Sequence, residues 1–445
     1  MNPKNRLYKF LISGVVLSLA IVIGKCLWEI LYLSIHQWNE PILFGDSWRF
    51  TERITGRTET QYLLSQHNEH RIVFAKAATI VETKILKIPP TQTALLQTLI
   101  LLLTSCGMWA YLCKKMLKIK TLWLITFLAG SALILNPWQY ENLAWEFQTP
   151  WIFINTLTLF AAIILTFDKK YLSPLTSSLQ DVSVATIPWI AIFSTGQGIA
   201  LGLALSICSW ANSRRLGMIS LLSFGSALFS TYFLLGYQKP SFHPEYQFNP
   251  IYFFRILTGG AWQGLLILII ASILVIAFKF RGIRIQLRMI GSALMPSFFS
   301  IIFAGMTTLS RSGLGIEQAN SPRYVSHSLM LGLSCILIAA ICSDKGQINL
   351  KSLVLGPGVL TLIAFASLNT SNIIQEFNNQ WTNARNFQGK NRSNFKCLAK
   401  KSSLITKGIE HTCPDGPHHK DIALEYFKGN TAIKPQGWHK KIIHE

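Results

Sequence analysis

The chain reads as an all-α polytopic membrane protein of about eleven spans. A long first extracytoplasmic loop carries amphipathic helices, and the C-terminal tail is extracytoplasmic. Three observations predict this. Half of the 445 residues are hydrophobic and only 14% are charged, against about 25% charged in soluble proteins. Apolar runs of roughly 17–25 residues, the length that crosses a bilayer as helix, recur along most of the chain. Lys and Arg gather in alternate connections between the runs, as they do in cytoplasmic loops.

The first run follows Lys4, Arg6 and Lys9 and continues to about Ile35 with no small-x-small site after it. It reads as an uncleaved span over 10–33 and not as a signal peptide. Further spans are expected over 93–112, 121–135, 151–167, 182–194, 198–212, 216–235, 260–278, 289–306, 324–342 and 353–368. The pair at 182–212 is short, and its break STGQG reads either as a link between two spans or as a re-entrant turn. With a cytoplasmic N-terminus, the inner connections hold Lys114, Lys115, Lys118, Lys120, Lys169, Lys170, Arg214, Arg215, Lys279, Arg281, Arg284, Arg288, Lys345 and Lys351. The short outer connections hold only Lys239, Arg255, Arg311 and Arg323. The net charge of +21 is therefore largely topology, and no nucleic-acid partner is expected. An odd number of spans places the tail outside. The domains are then a transmembrane unit, 1–368, with its outer loop 34–92, and an extracytoplasmic C-terminal unit, 369–445. Six cysteines lie in or near spans as small hydrophobes. Cys397 and Cys413 lie in the outer tail, an oxidising compartment, and are expected to pair.

The predicted span centres are nearly free of ionisable groups. Lys25 and Glu29 sit four apart and can share a helix face, and His327 lies just inside the tenth span. The unusual polar residues gather at the outer ends in four stretches. FGDSWRF (44–50) offers Asp46, either a helix N-cap or a general base. QYLLSQHNEHRIVFAKAATIV (61–81), read as one helix, puts Gln66 and His70 on one face and His67 and Arg71 on another. Glu69 beside them makes an acid flanked by His and Arg, suited to a phosphate or to a salt-bridged surface. The spacing His67, Glu69, His70 matches no zinc-ligand motif, so no metal site is expected. NPWQYENLAWEFQTPW (136–151) sets Glu141 and Glu146 among Trp138, Tyr140, Trp145 and Trp151, either an interfacial belt or a platform for sugar rings. SRSGLGIEQANSPRYVS (310–326) places Arg311 and Arg323 outside, where an anionic headgroup or a nearby acid is the natural partner.

HNEHRI, WQYENLAWEFQ, STGQGIALG and SPRYVS, in this order, resemble integral-membrane glycosyltransferases of the GT-C fold. Length, span number, the long first outer loop and the outer tail are similar to phage-type serotype-converting O-antigen glucosyltransferases. The blocks cover about residues 44–326. The resemblance implies a bacterial inner-membrane enzyme with its N-terminus cytoplasmic and its C-terminus periplasmic. It implies that a sugar moves, with inversion, from a polyprenyl-phosphate donor to a glycan or lipid-linked acceptor such as O-antigen in lipopolysaccharide. A first-loop carboxylate, Asp46 or Glu69, would take the acceptor proton. His70, Arg71, Arg311 and Arg323 would hold the donor phosphate, and Trp138, Glu141, Trp145 and Glu146 the sugar or acceptor. Many relatives use a divalent cation; the sequence assigns none. Where many relatives carry adjacent acids, this chain has Asp46-Ser47. A lipid or glycan transporter or flippase, and a membrane scaffold with the tail as binding module, stand as the other readings.

Overall fold

The protein is described by a computed structural model over residues 3–39, 59–81, 85, 90–144, 148–168, 171–240, 243–258, 287–344, 375, 378, 379 and 382. Among these residues the structure is all-helical, with a single isolated bridge between His67 and His70. The helices are α1 (Pro3–Asn39), α2 (Glu59–Leu64), α3 (Val73–Val81), α4 (Pro90–Met116), α5 (Lys120–Ile134), α6 (Tyr140–Ala144), α7 (Thr149–Thr166), α8 (Pro174–Ile192), α9 (Gly198–Asn212), α10 (Arg214–Phe229), α11 (Pro250–Thr258), α12 (Leu287–Arg311) and α13 (Pro322–Asp344).

Seven described helical stretches are long and apolar enough to cross a bilayer: 10–35, 95–116, 120–142, 149–166, 214–234, 289–314 and 322–342. The expected count of eleven is therefore not reproduced among the described residues. The expected spans 260–278 and 353–368, and almost all of the tail, lie outside them. The expected pair at 182–212 consists of two helices. α8 begins well before position 182, because Ser173 caps it by accepting the Thr176 N–H at 3.3 Å and Pro174 occupies its first turn. The polar opening PLTSSLQD hides this start from a hydropathy reading. α9 has 15 residues, short for a span.

α13 lies at the centre, with 94% of its apolar window buried. It packs on α12, α5, α7 and α11. α1 lies at the edge, with 17% of its window buried, and turns Phe10, Leu17, Ile21 and Trp28 outward. Side chains of that size on one face call for lipid as solvent. Lys25 lies 3.9 Å from Glu29 on the same helix. His327 is wholly buried, its Nδ1 2.7 Å from Asn155 Oδ1, and its ring stacks on Trp151 at 5.3 Å. It thereby ties α13 to α7. The six described cysteines are unbridged, and Cys397 and Cys413 lie outside the described residues.

Helices in such a bundle gain little from hydrophobic burial against one another and associate through small residues and shared hydrogen bonds. Gly130 leaves room for the Trp109 indole, whose Nε1 donates to Thr126 O at 3.1 Å. Ser105 and Thr156 meet at 2.8 Å, and Ser206 and Ser220 at 3.1 Å. Pro296 interrupts α12, and a proline inside a helix breaks the local hydrogen-bond ladder. Ser334 of α13 answers it: its hydroxyl accepts the Ser297 N–H at 2.9 Å and donates to Ala293 O at 2.6 Å. One side chain thus serves two backbone groups flanking the break.

The connections at one end of the bundle are basic. Lys114, Lys115, Lys118 and Lys120 surround the α4–α5 junction, and Arg214 and Arg215 open α10. Asp344 at the end of α13 accepts the N–H groups of Lys118 and Ile119 at 2.9 and 2.8 Å. The acids and histidines described next gather at the opposite end. Replacing Ser334 with Ala should leave the N–H of Ser297 and the carbonyl of Ala293 without this bridge. The expected loss is roughly 1–3 kcal/mol, read as a lower Tm of the full chain in lipid nanodiscs; an unchanged Tm would contradict the bridging role.

Candidate functional site

The stretch 61–81, expected to be one helix, breaks in the middle. α2 stops at Leu64, α3 starts at Val73, and the residues between form a tight turn. His67 N–H donates to His70 O and His70 N–H to His67 O, both at 2.8 Å. Asn68 has φ +50°, so the first central residue adopts the left-handed conformation that Asn tolerates. Two cations hold the break open. The buried Lys76 ammonium caps α2 by donating to Tyr62 O and Ser65 O, each at 2.9 Å. The Arg71 guanidinium donates to Leu64 O, to Leu235 O at 2.9 Å, and to Gly236 O. Gln66 pairs with Gln238 in both directions, its Oε1 accepting the Gln238 N–H at 3.0 Å. Periodicity favoured a helix here, but long-range carbonyls recruited the side chains that a surface helix would have left in solvent.

The turn presents Glu69. Arg311 at the end of α12 donates to Glu69 Oε1, and His70 Nε2 stands 3.3 Å from the same oxygen. His243 Nε2 stands 3.2 Å from Oε2. The carboxylate keeps 17% of its side-chain exposure, so it is nearly surrounded yet reachable. His70 is oriented by the STGQG turn: Gly196 N–H donates to its Nδ1 at 2.9 Å. An Nδ1 that accepts leaves the ring proton on Nε2, facing Glu69. Any Cβ at position 196 would stand 2.9 Å from that nitrogen. Val73 N–H donates to Phe193 O at 2.8 Å and docks the first-loop segment on the same turn. Burial and the nearby Lys239 ammonium pull the His243 imidazole below its usual range, so it is neutral at pH 7.

Beside Glu69 lies a narrow cleft with about 10 Å³ of free volume, room for roughly one water, walled by the 66–71 turn, the ends of α8 and α9, and the chain leaving α10. Its lining includes Gln66, Glu69, Arg71, Thr195 and Gly196 on one side and Thr231, Tyr232 and Tyr237 on the other, with Ile192 and Ile199 as apolar wall. Burial, then the neighbouring Tyr232 and Tyr246, push the Tyr237 hydroxyl up to about 12. At neutral pH it is therefore protonated and able to donate.

A second cluster joins NPWQYEN to SPRYVS. Glu141 is buried; its Oε2 accepts from Ser321 Oγ at 3.0 Å, with Arg323 Nε 4.0 Å away. Asn142 donates to Arg323 O at 3.4 Å and to Ser326 Oγ at 3.2 Å. Trp138 packs against the core. Arg311 and Arg323 flank the short 3-10 turns 312–314 and 316–320, so both clusters sit at one end of the bundle. The structure thus brings Glu69, His70, Arg71 and Arg311 together and sets Glu141, Trp138 and Arg323 in a neighbouring group. Arg71 is engaged with main-chain carbonyls, and a role in holding phosphate would require it to give them up. Asp46, Trp145 and Glu146 lie outside the described residues. No group of His, Cys, Asp and Glu suited to a metal ion occurs among the described residues.

His243, Thr231, Tyr232 and Tyr237 were not singled out by the sequence, and Gly196 entered only as part of STGQG, with no role given to it. A titratable His in FHPEY, within an outer connection poor in charge, was the signal available for the first. No protein-family model, curated protein or solved structure matches this chain.

Replacing Arg71 with Lys substitutes a single ammonium for a planar fork that reaches three carbonyls. The expected result is a loss of roughly 1–3 kcal/mol, seen as a lower Tm and faster hydrogen exchange around 235–238. Wild-type exchange in that segment would contradict the clamp.

Proposed function

We propose that the protein is a membrane glycosyltransferase. It moves a sugar from a polyprenyl-phosphate donor to a glycan or lipid-linked acceptor at the extracytoplasmic face. The observation that carries this reading is the Glu69 carboxylate, held among Arg311, His70 and His243 at the non-basic end of the bundle, beside a small cleft. The basic junctions at the other end favour placing that other end in the cytoplasm. The resemblance to GT-C glycosyltransferases, glucosylation of O-antigen included, supports the same reading. Two pairs of its motifs, HNEHRI with STGQG and WQYEN with SPRYVS, are in contact.

In the proposed reaction an acceptor hydroxyl attacks the anomeric carbon as the bond from that carbon to the phosphate oxygen breaks. The electron pair leaves on the polyprenyl phosphate, and the acceptor proton passes to Glu69. A carboxylate paired with an arginine is a weak base. Arg311 therefore shifts from Glu69 to the donor phosphate, which frees the carboxylate and stabilises the departing charge. Positive charge builds on the sugar ring in the transition state, and Glu69 is placed to balance it. His70, held by Gly196, keeps Glu69 oriented through this exchange. The cluster of Glu141, Asn142 and Arg323 is the proposed acceptor side.

The test uses the purified full chain in nanodiscs with polyprenyl-phosphate sugars and lipopolysaccharide acceptor. Glu69→Gln and Arg311→Ala should each lower transfer at least about 100-fold while membrane insertion is kept. Full activity in both variants would overturn the assignment. Movement of the lipid headgroup across vesicles with no sugar transfer would favour a transporter instead.

A further inference from the structure

We propose that the connection from α10 to α11 is a strap drawn across Glu69, and that the structure holds its shut state. Solutes then meet Glu69 only when the strap lifts. The proposal concerns access alone and goes beyond the sugar-transfer reading. The described residues of the strap are 236–240 and 243–249.

The first observation is how closely Glu69 is enclosed. Arg311 and His70 stand at one carboxylate oxygen and His243 at the other. The cleft beside them has room for roughly one water, and in this arrangement it admits nothing larger to the carboxylate. Arg311 comes from α12 and His70 from the turn that bears Glu69, whereas His243 comes from the strap.

The second is the route. Gly236, with φ +66°, turns the chain as it leaves α10. Gln238 N–H then donates to Gln66 Oε1, beside the Glu69 turn, at 3.0 Å. Past His243, Gln247 N–H donates to Leu309 O at 3.1 Å, and Gln247 O accepts from Ser312 Oγ at 2.9 Å. The strap is thus pinned to the segment that supplies Glu69 and to the one that supplies Arg311, and it crosses between them at His243. Asn249 ends it by capping α11, its Oδ1 accepting the N–H groups of Ile251 and Tyr252 at 2.9 and 3.1 Å.

The third is the make-up of the strap. Lys239 Nζ donates to Pro244 O at 2.9 Å and lies over the Tyr246 ring at 4.6 Å. These contacts join residues on either side of His243, so the segment moves as a unit. Tyr246 is 67% exposed and Phe248 56%. A segment with few buried apolar contacts, and with its hydrogen bonds near solvent, opens at low cost. Its seat is Gly313, where a Cβ would stand 2.6 Å from Pro244 Cβ and 2.9 Å from Gln247 Nε2.

Two measurements on the full chain in nanodiscs test this. Glu69 is modified with a water-soluble carbodiimide and glycinamide, read by peptide mass, with Glu317, whose side chain is 85% exposed, as internal reference. Hydrogen exchange follows the Gln238 and Gln247 amides. Gly313→Ala unseats the strap, and His243→Ala removes its contact with the acid. In the wild type Glu69 should react at least about tenfold more slowly than Glu317. Each variant should speed Glu69 roughly tenfold and leave Glu317 unchanged. Gly313→Ala should also speed exchange at Gln238, the end far from the substitution, together with Gln247. Wild-type Glu69 reacting as fast as Glu317, unchanged Glu69 labelling in either variant, or faster exchange at Gln247 without Gln238 overturns the proposal. Neither measurement contains a sugar, so the two readings fail separately. Sugar transfer by a protein whose Glu69 labels freely removes the strap and keeps the enzyme. Strap-controlled labelling of Glu69 with no transfer from any polyprenyl-phosphate sugar does the reverse.

Discussion

Backbone groups at the ends of membrane helices must find partners, and in this protein one guanidinium does much of that work. Arg71 gathers the carbonyls of Leu64, Leu235 and Gly236, which come from two connections far apart in sequence. It ends α2, anchors the chain leaving α10 and closes one wall of the cleft. The arrangement around Glu69 depends on it, because the turn that presents Glu69 hangs between Arg71 and the Gln66–Gln238 pair. The same constraint operates elsewhere by other side chains. Ser334 bridges the break at Pro296, Lys76 caps α2, and Asp344 serves two N–H groups before α5.

Charge is partitioned along the bundle axis by the same helix ends. Cations gather at the α4–α5 junction and the start of α10, where solvent and headgroups receive them. At the other end the charged groups are mixed in sign and meet one another: Arg311 with Glu69, Arg255 with Glu317 at 3.7 Å, Arg323 near Glu141. A carboxylate drawn largely out of water is stabilised by neighbours that compensate its charge. Glu69 is compensated by groups from three separate segments, a geometry that a mobile ion pair on the surface would not need. That convergence of packing around one acid, beside a cleft, is the physical support for the proposal that chemistry occurs there.

Small residues decide how closely these parts approach. Gly196 allows the His70 ring to lie against the turn between α8 and α9 and to receive its N–H. Gly198 begins α9 where any Cβ would stand 2.1 Å from the Ala191 carbonyl oxygen. The STGQG break is thus a packing surface for the first loop as well as a link between helices.

Hydropathy, span length and the alternation of basic connections were legible in the chain itself. They depend on local composition, and a bilayer selects on local composition. The helical class and most helix positions among the described residues followed from them. The start of α8 was hidden by its polar first turns, and the break at 65–72 by a helical pattern that distant carbonyls overrule. That Arg71 serves main-chain groups, that Arg311 and Arg323 answer different acids, and that His243 and Thr231 join the site were decided only by tertiary structure. Which hydrogen-bond acceptor a long side chain reaches depends on what other helices bring within a few ångströms, and no property of neighbouring residues in the chain carries that information.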